Sequence, residues 1–241
     1  MSSGKYSALS GALGRMTYLE TISDNLANSK TVGFKRGQAV FESKLADARA
    51  GLATEGKNFS RVKGGLTDFV DAMLTRTNVP LHLGISGEGF FKVQDEQGQI
   101  FYTRQGNMSY GKNGEMVTSQ GMKVLNEDDE PIILPSPAAV VEEDGNILGG
   151  KDPIQIPLYR FEDELALTRM GGSLFSVDDP ELALKVGRPQ IYQGQLEESN
   201  VKVMEEVGLM MENMRAFEAC QRALKVYSDI GSKSLELGLV G

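Results

Sequence analysis

The 241-residue chain has no tryptophan, one cysteine and one histidine. The single thiol, Cys220, excludes an internal disulfide framework, and the single imidazole, His82, cannot supply a multi-histidine metal site. No apolar run approaches the roughly 20 residues that a membrane-spanning helix needs. These absences disfavour disulfide-stapled, zinc-dependent and membrane-inserted proteins. They predict a chain that needs no cofactor and no metal.

Positive charge is also scarce, because the net charge is −8. That balance disfavours nucleic acid as a main partner. The charge is uneven: residues 1–63 carry +5, residues 64–194 carry −10 and residues 195–241 carry −3. A basic first segment beside an acidic remainder indicates that the chain ends meet each other or another copy. Ordinary solvated surface charge is the alternative.

The first twenty residues, MSSGKYSALSGALGRMTYLE, lack the continuous apolar core and small-residue cleavage site of a secretory signal. We therefore expect that, if this protein leaves the cytoplasm, it does so without a Sec signal peptide.

Helical periodicity marks both ends of the chain. Between Tyr6 and Asn28 the apolar residues recur at steps of three and four, which predicts an amphipathic helix. A second helix is predicted from Glu198 to Leu237, where ten positions follow a heptad seam and seven of them are apolar. The seam positions are Val203, Val207, Met210, Met214, Phe217, Gln221, Leu224, Ser228, Gly231 and Leu235. A plain amphipathic helix packed on its own domain is the alternative to a seam.

The middle of the chain, residues 64–194, has the signals of short strands and tight turns. Gln97-Gly98, Asn113-Gly114 and Asp144-Gly145 each separate two extended runs, as in β-hairpins. Prolines punctuate the rest and argue against long helices. We predict a mostly antiparallel β-domain here.

Together these patterns predict an α+β fold. The N- and C-terminal helices pair as an antiparallel coiled-coil core, and a β-domain is inserted between them. The expected divisions are 1–63 for the N-terminal helix and an extended segment, 64–194 for the β-rich outer domain and 195–241 for the C-terminal helix. No catalytic constellation is visible. The stretch GISGEGFF does not match the dinucleotide fingerprint and runs into a strand, so we expect that the protein is not an enzyme.

The stretch NLANSKTVGFKR, residues 25–36, resembles the Asn-Leu-Ala-Asn…Thr-x-Gly-Phe-Lys signature of bacterial flagellar rod and hook proteins. The closing segment, GQLEESNVKVMEEVGLMMENMRAFEACQRALKVYSD, is similar to the last helix of the same family. LGISGEGFFKV and FYTRQGNMSYGKNGEMVTSQGMKVL resemble its β-domain. The likeness therefore spans nearly the whole chain.

The resemblance implies a structural axial subunit of the bacterial flagellar basal-body rod, which self-assembles helically through its terminal helices into a torque-transmitting drive shaft. Length and layout favour the proximal rod protein, with the distal rod protein as the alternative. The implied partners are copies of itself, neighbouring rod proteins and the flagellar type III export apparatus. The implied location is the rod spanning the periplasm. A β-sheet binding module on a coiled-coil stalk is the alternative from a different class.

In such a tube the segment after the first helix is expected to cross to neighbouring subunits. Phe34 is expected to anchor in an apolar groove while Lys35 and Arg36 meet acidic neighbours such as Glu205, Glu206 or Glu212. A local loop that covers its own β-domain is the alternative. The residues expected to pack between subunits are Leu9, Leu13, Met16, Leu26, Asn28, Thr31, Gly33, Phe34, Lys35, Val203, Val207, Met210, Met214, Phe217 and Leu224.

Overall fold

A computed structural model describes residues 2–45, 58–149 and 154–238. The fold is α+β, with two α-helices and antiparallel strand pairing in the described part of the chain. The chain forms two compact units. A helical unit takes residues 1–27, 37–68 and 202–241, and a β unit takes Asn28–Arg36 and Phe69–Val201.

In its described residues, the helical unit contains two helices and one β-ribbon. Helix α1 is Ser2–Ala27 and helix α2 is Val203–Gly238, close to the two predicted helices. Glu205 and Glu206 lie in the first turn of α2. Their negative charges stabilise the helix there, because the N-terminus is the positive end of the helix dipole. Strand β1 (Gly37–Leu45) pairs antiparallel with β2 (Asn58–Thr67), so the predicted extended segment is paired.

The β unit is built from sixteen short strands in its described residues. They are β3 Leu74–Arg76, β4 Leu83–Ile85, β5 Phe90–Gln94, β6 Ile100–Thr103, β7 Met108–Tyr110, β8 Met116–Thr118, β9 Lys123–Val124, β10 Val140–Val141, β11 Asn146–Leu148, β12 Ile154–Gln155, β13 Leu158–Arg160, β14 Leu167–Gly171, β15 Leu174–Val177, β16 Leu184–Lys185, β17 Ile191–Gln193 and β18 Gln195–Glu197.

The largest sheet has nine strands and runs in the order β14-β15-β6-β5-β9-β8-β7, with β13 joining both β5 and β16. Smaller sheets are formed by β10-β11-β12, by β17-β4 and by β18-β3. The last two join strands that are far apart in sequence. In β18–β3, for example, Leu196 pairs with Thr75.

The predicted hairpin turns are confirmed. Gly98, Gly114 and Gly145 lie between β5 and β6, β7 and β8, and β10 and β11, at φ values of 84°, 87° and 85°. This left-handed backbone is open to glycine at little cost, which explains why the turn signal was readable from sequence.

Two apolar clusters fill the described part of the β unit. The larger one includes Leu83, Phe91, Met116 and Ile156, all inaccessible to solvent. The smaller one is mainly aromatic and consists of Phe90, Tyr102, Tyr159, Phe161, Leu167 and Phe175. Its rings meet edge to face; the centroids of Tyr102 and Phe161, for example, lie 4.9 Å apart.

The division into units differs from the expected boundaries. Residue 63 lies inside β2, and residue 194 lies between β17 and β18. The nine residues Asn28–Arg36 belong to the β unit although they follow α1 directly. Hydropathy periodicity did not predict this, because the grouping depends on hydrogen bonds to residues more than 100 positions away.

Neither helix, as far as it is described, is long and apolar enough to cross a membrane.

Candidate assembly interface

Backbone hydrogen bonds hold Asn28–Arg36 to the end of strand β18. The Gly33 amide donates to the Glu197 carbonyl at 2.8 Å, and the Asn200 amide donates to the Phe34 carbonyl at 3.3 Å. The Arg36 amide in turn donates to Asn200 Oδ1 at 2.6 Å. The segment therefore lies against its own β unit, which is the arrangement of the local-loop alternative.

Asn28 and Thr31 form the turn that starts this segment. The Thr31 amide donates to the Asn28 carbonyl at 3.0 Å, and Thr31 Oγ1 donates to Asn28 Oδ1 at 3.1 Å. The short polar side chains thus bond to each other, which stabilises a sharp change of chain direction.

Gly33 is required by both conformation and space. Its φ is +64°, in the left-handed region. A Cβ placed on it would lie 2.4 Å from the Arg104 carbonyl carbon and 2.5 Å from the Arg104 carbonyl oxygen. Since these neighbours are backbone atoms, no change of side-chain rotamer could relieve the clash. The glycine of the motif therefore allows the segment to lie directly on the chain at Arg104.

Phe34 is fully buried in the β unit. The Arg169 guanidinium lies over its ring, 4.6 Å from the centroid, and is 5.3 Å from the centroid of Phe175. Arg169 also donates to the Lys35 carbonyl. Cation–π contact and burial together anchor Phe34 within its own subunit, whereas the sequence predicted a groove reached by crossing to a neighbouring subunit.

Lys35 is at the centre of a buried charge cluster. Its Nζ lies 2.8 Å from Glu197 Oε1 and donates to the carbonyls of Phe69 and Val70 at 3.2 and 2.9 Å. The side chains of Lys35 and Glu197 are inaccessible to solvent. Burial lowers the pKa of Lys35, although the charge of Glu197 opposes that change.

Arg104 and Asp71 complete the cluster. Arg104 Nη1 lies 3.3 Å from Glu197 Oε2 and 3.1 Å from Asp71 Oδ1, and its Nη2 donates to the Gly87 carbonyl at 2.8 Å. Two cations and two carboxylates therefore balance; Lys35, Arg104 and Glu197 are buried, and Asp71 is half-exposed. The expectation that Lys35 meets Glu205, Glu206 or Glu212 is wrong, because Glu197 reaches Lys35 within the β unit itself.

Helices α1 and α2 are antiparallel, and two close contacts between them lie seven residues apart on each helix. A Cβ on Gly4 would lie 2.6 Å from the Tyr227 ring, and a Cβ on Gly11 would lie 3.5 Å from Cys220 Sγ. Small residues on α1 thus face larger ones on α2.

Polar pairs continue this contact line toward the other end of the helices. Arg15 Nη1 donates to Asn213 Oδ1 at 3.3 Å, and Asn213 Nδ2 donates to the Arg15 carbonyl at 2.8 Å. Asn25 Nδ2 donates to Glu206 Oε2 at 3.3 Å. Asn25 also exchanges two hydrogen bonds with the backbone of Gly37, where β1 begins. On α2 the face toward α1 is therefore Glu206, Asn213, Cys220 and Tyr227.

The predicted apolar seam of α2 is not this face. Glu206 and Asn213 are 0% and 1% exposed, whereas Val207 and Met214, one position further along, are 39% and 50% exposed. One residue turns a helix by about 100°. Val203 is exposed as well, while Met210, Phe217 and Leu224 are half-buried at the flank. We call Val203, Val207 and Met214 the outer edge of α2.

Helix α1 has an exposed apolar stripe of its own. Leu9, Leu13 and Met16 are 44%, 58% and 52% exposed, and Tyr6 is also exposed. At about 100° per residue these positions lie on the side of α1 opposite to Gly4, Gly11 and Asn25. Leu26, by contrast, is half-buried. We call Tyr6, Leu9, Leu13 and Met16 the outer stripe of α1.

Within residues 2–45, 58–149 and 154–238, no group of three or more His, Cys, Asp or Glu side chains is placed to hold a metal ion.

Two family models match the chain. The "Flagellar hook protein FlgE/F/G D1 domain" matches residues 84–158, and the "Flagellar basal body rod FlgEFG protein C-terminal" matches residues 192–237. The first falls in the β unit, and the second runs from β17 through most of α2. These matches place the chain in the class of flagellar hook and rod proteins.

Whole-length relatives narrow that class. The chain is 31% identical to the flagellar basal-body rod protein FlgG of Borreliella burgdorferi, with 91% of this chain and 92% of the relative aligned. It is 32% identical to FlgF of Rhizobium meliloti, with 90% of each aligned. The hook protein FlgE of Salmonella typhimurium is 38% identical, but over only 48% of this chain and 28% of the hook protein. The chain belongs to the flagellar basal-body rod protein family and is a structural subunit.

Proposed function

We propose that α1 and α2 form an antiparallel coiled-coil core and that copies of the chain pack helically through the faces this core leaves exposed. The β unit is inserted between the two helices in the sequence. The contact residues of α2, Tyr227, Cys220, Asn213 and Glu206, recur every seven residues and meet Gly4, Gly11, Arg15 and Asn25 of α1 in the reverse order, which supports an antiparallel coiled coil.

The observation that carries the proposal is the exposure of apolar side chains on both helices. Burial of a half-exposed Leu, Met or Val side chain contributes roughly 1 kcal/mol. The outer stripe and the outer edge together therefore supply several kcal/mol toward association, before its entropic cost. A head-to-tail contact of this kind that does not close on itself produces a filament.

The residues proposed to pack between copies are those on the two helices: Leu9, Leu13, Met16, Leu26, Val203, Val207, Met210, Met214, Phe217 and Leu224. The other five predicted packing residues, Asn28, Thr31, Gly33, Phe34 and Lys35, have partners within their own chain. We infer that these five fix the segment after α1 to the β unit.

We further propose that the subunit reaches a periplasm-spanning rod through the flagellar type III export apparatus, without a Sec signal peptide, and helps to transmit torque there. The support is the family, since the chain belongs to the flagellar basal-body rod proteins. In a strain that lacks the export gate, an epitope-tagged chain should accumulate in the cytoplasm. Its appearance in basal bodies of that strain would contradict the proposal.

Within the rod we propose the proximal position. The support is the length and layout of the sequence, which resemble those of the proximal rod protein. Basal bodies from a strain without the distal rod protein should still contain a proximal subunit. Absence of the chain from such basal bodies would favour the distal position instead.

The helix faces are tested by substituting one residue on each: Leu13→Asp on α1 and Met214→Asp on α2. Both side chains are exposed in the single copy, so the charge should leave the fold intact and abolish assembly and motility. Met170→Asp is the matched control, because Met170 is equally exposed but lies in the β unit. Normal incorporation of Leu13→Asp and Met214→Asp into rods would overturn the proposal.

A further inference from the structure

Helix α2 has two faces that could pack against α1. The apolar face predicted from sequence includes Val203, Val207 and Met214. The face that contacts α1 in the structure carries Glu206 and Asn213, which are polar and fully buried. Burial of apolar surface alone favours the first face. Some other interaction therefore selects the second.

The polar pairs that cross the contact line provide this selection. Asn25 meets Glu206, and Arg15 exchanges two hydrogen bonds with Asn213. A rotation of α2 by about 100° would separate both pairs and set apolar side chains against Asn25 and Arg15. Buried polar pairs that match in one arrangement alone are known to specify register in coiled coils.

We propose that Asn25, Glu206, Arg15 and Asn213 are positioning residues that fix the rotation of α2 on α1, and that this keeps the outer edge of α2 available to another copy. The role of the outer edge in contacting another copy rests on the proposed function. The fixed rotation of α2 on α1 concerns a single subunit and does not depend on it.

The rotation is measurable by disulfide trapping in the full-length, dilute monomer. In Gly11→Cys, the new thiol faces native Cys220, since a Cβ at position 11 lies 3.5 Å from Cys220 Sγ. A second reporter, Gly11→Cys with Cys220→Ser and Gln221→Cys, detects the rotated helix. The 11–220 bond should form at least about tenfold faster than the 11–221 bond, a factor at the upper end of what one ordinary hydrogen bond supplies.

The test variant is Glu206→Leu with Asn213→Leu in both reporters. The preference for 11–220 should fall to one or reverse. Glu212→Leu is the matched control, since Glu212 is exposed on the same helix, and it should leave the preference unchanged. If the double variant fails to fold, Arg15→Met removes one pair from the α1 side and should lower the preference by a smaller factor.

Retention of the 11–220 preference in Glu206→Leu/Asn213→Leu would overturn the proposal. A second outcome would also overturn it: the double variant loses the 11–220 preference, but the same substitutions without the cysteine reporters still assemble into normal rods. The rotation of α2 would then have no role in assembly. Failure of the proposed function gives a distinguishable result: Leu13→Asp and Met214→Asp then assemble normally, while the disulfide-trapping preference stays as expected.

Discussion

The two units bury different kinds of side chain. In its described residues, the β unit encloses two apolar clusters and the charged side chains of Lys35, Arg104 and Glu197. In the helical unit, the described side chains that are buried and apolar are Ala12 and Ile22, while Asn25, Glu206 and Asn213 are buried and polar. The apolar residues of its helices are largely exposed. Among the described side chains, the β unit therefore buries most of its large apolar residues, whereas the two helices leave many of theirs exposed.

The largest expected effect is on amide hydrogen exchange in the dilute monomer. Protection in strands β5, β6 and β15 should exceed that in α1 by on the order of a thousandfold, because local opening of a weakly packed helix costs little. Assembly should then slow exchange in α1 and leave β5 unchanged. Equal protection of α1 and β5 in the monomer would remove the contrast between the two units.

Next in size is the loss of the buried carboxylate in the β unit. Glu197→Gln leaves Lys35 and Arg104 with Asp71, which is itself 46% exposed. We expect a loss of about 3–5 kcal/mol in the free energy of unfolding, measured by urea denaturation. Glu127→Gln is the matched control. Its ion pair with Lys185 is exposed, and its loss should cost less than about 1 kcal/mol. Similar costs for both variants would show that the buried cluster contributes little.

A smaller effect is expected at the glycine of the motif. Gly33→Ala adds a left-handed alanine and a contact with the Arg104 backbone, so it should destabilise the β unit by about 2–4 kcal/mol. Gly121→Ala has a similar positive φ, 84°, and nothing within 4 Å of the new Cβ. It should cost about 1–2 kcal/mol in the same urea experiment. A cost for Gly33→Ala no greater than that of Gly121→Ala would mean that the segment yields easily.

The smallest effect is a pH dependence. Burial, with Tyr159 and Asp129 nearby, raises the pKa of Tyr102 to about 12 from an ordinary value of 10.0. Because the folded state holds this proton more tightly, the stabilisation is fully present below pH 10 and is lost as pH rises toward 12. Tyr102→Phe should therefore lose less stability than the wild type between pH 10 and pH 12, in thermal melts. Parallel pH curves for the two proteins would contradict this.

Local signals predicted the elements well but not the faces that they bury. The helices, the glycine turns and the β-rich middle were readable because each depends on neighbours within about seven residues. The partner of Lys35 was not, since Glu197 is 162 positions away and is one of many acidic residues. The prediction that the apolar seam of α2 packs on α1 was wrong in part. Hydrophobic periodicity depends on apolar positions alone and contains no information on the hydrogen bonds between Asn213 and Arg15.

Two amphipathic helices, short antiparallel strands with glycine turns, and a resemblance of residues 25–36 to flagellar rod and hook proteins could all be read from the local sequence. Hydropathy and backbone preference are local properties, and they are sufficient for that much. That Asn28–Arg36 lies on its own β unit, and that Glu206 and Asn213 face α1, could be learned only from the folded chain. Both outcomes depend on hydrogen bonds and ion pairs between residues far apart in the chain, which form only when the fold brings the partners together.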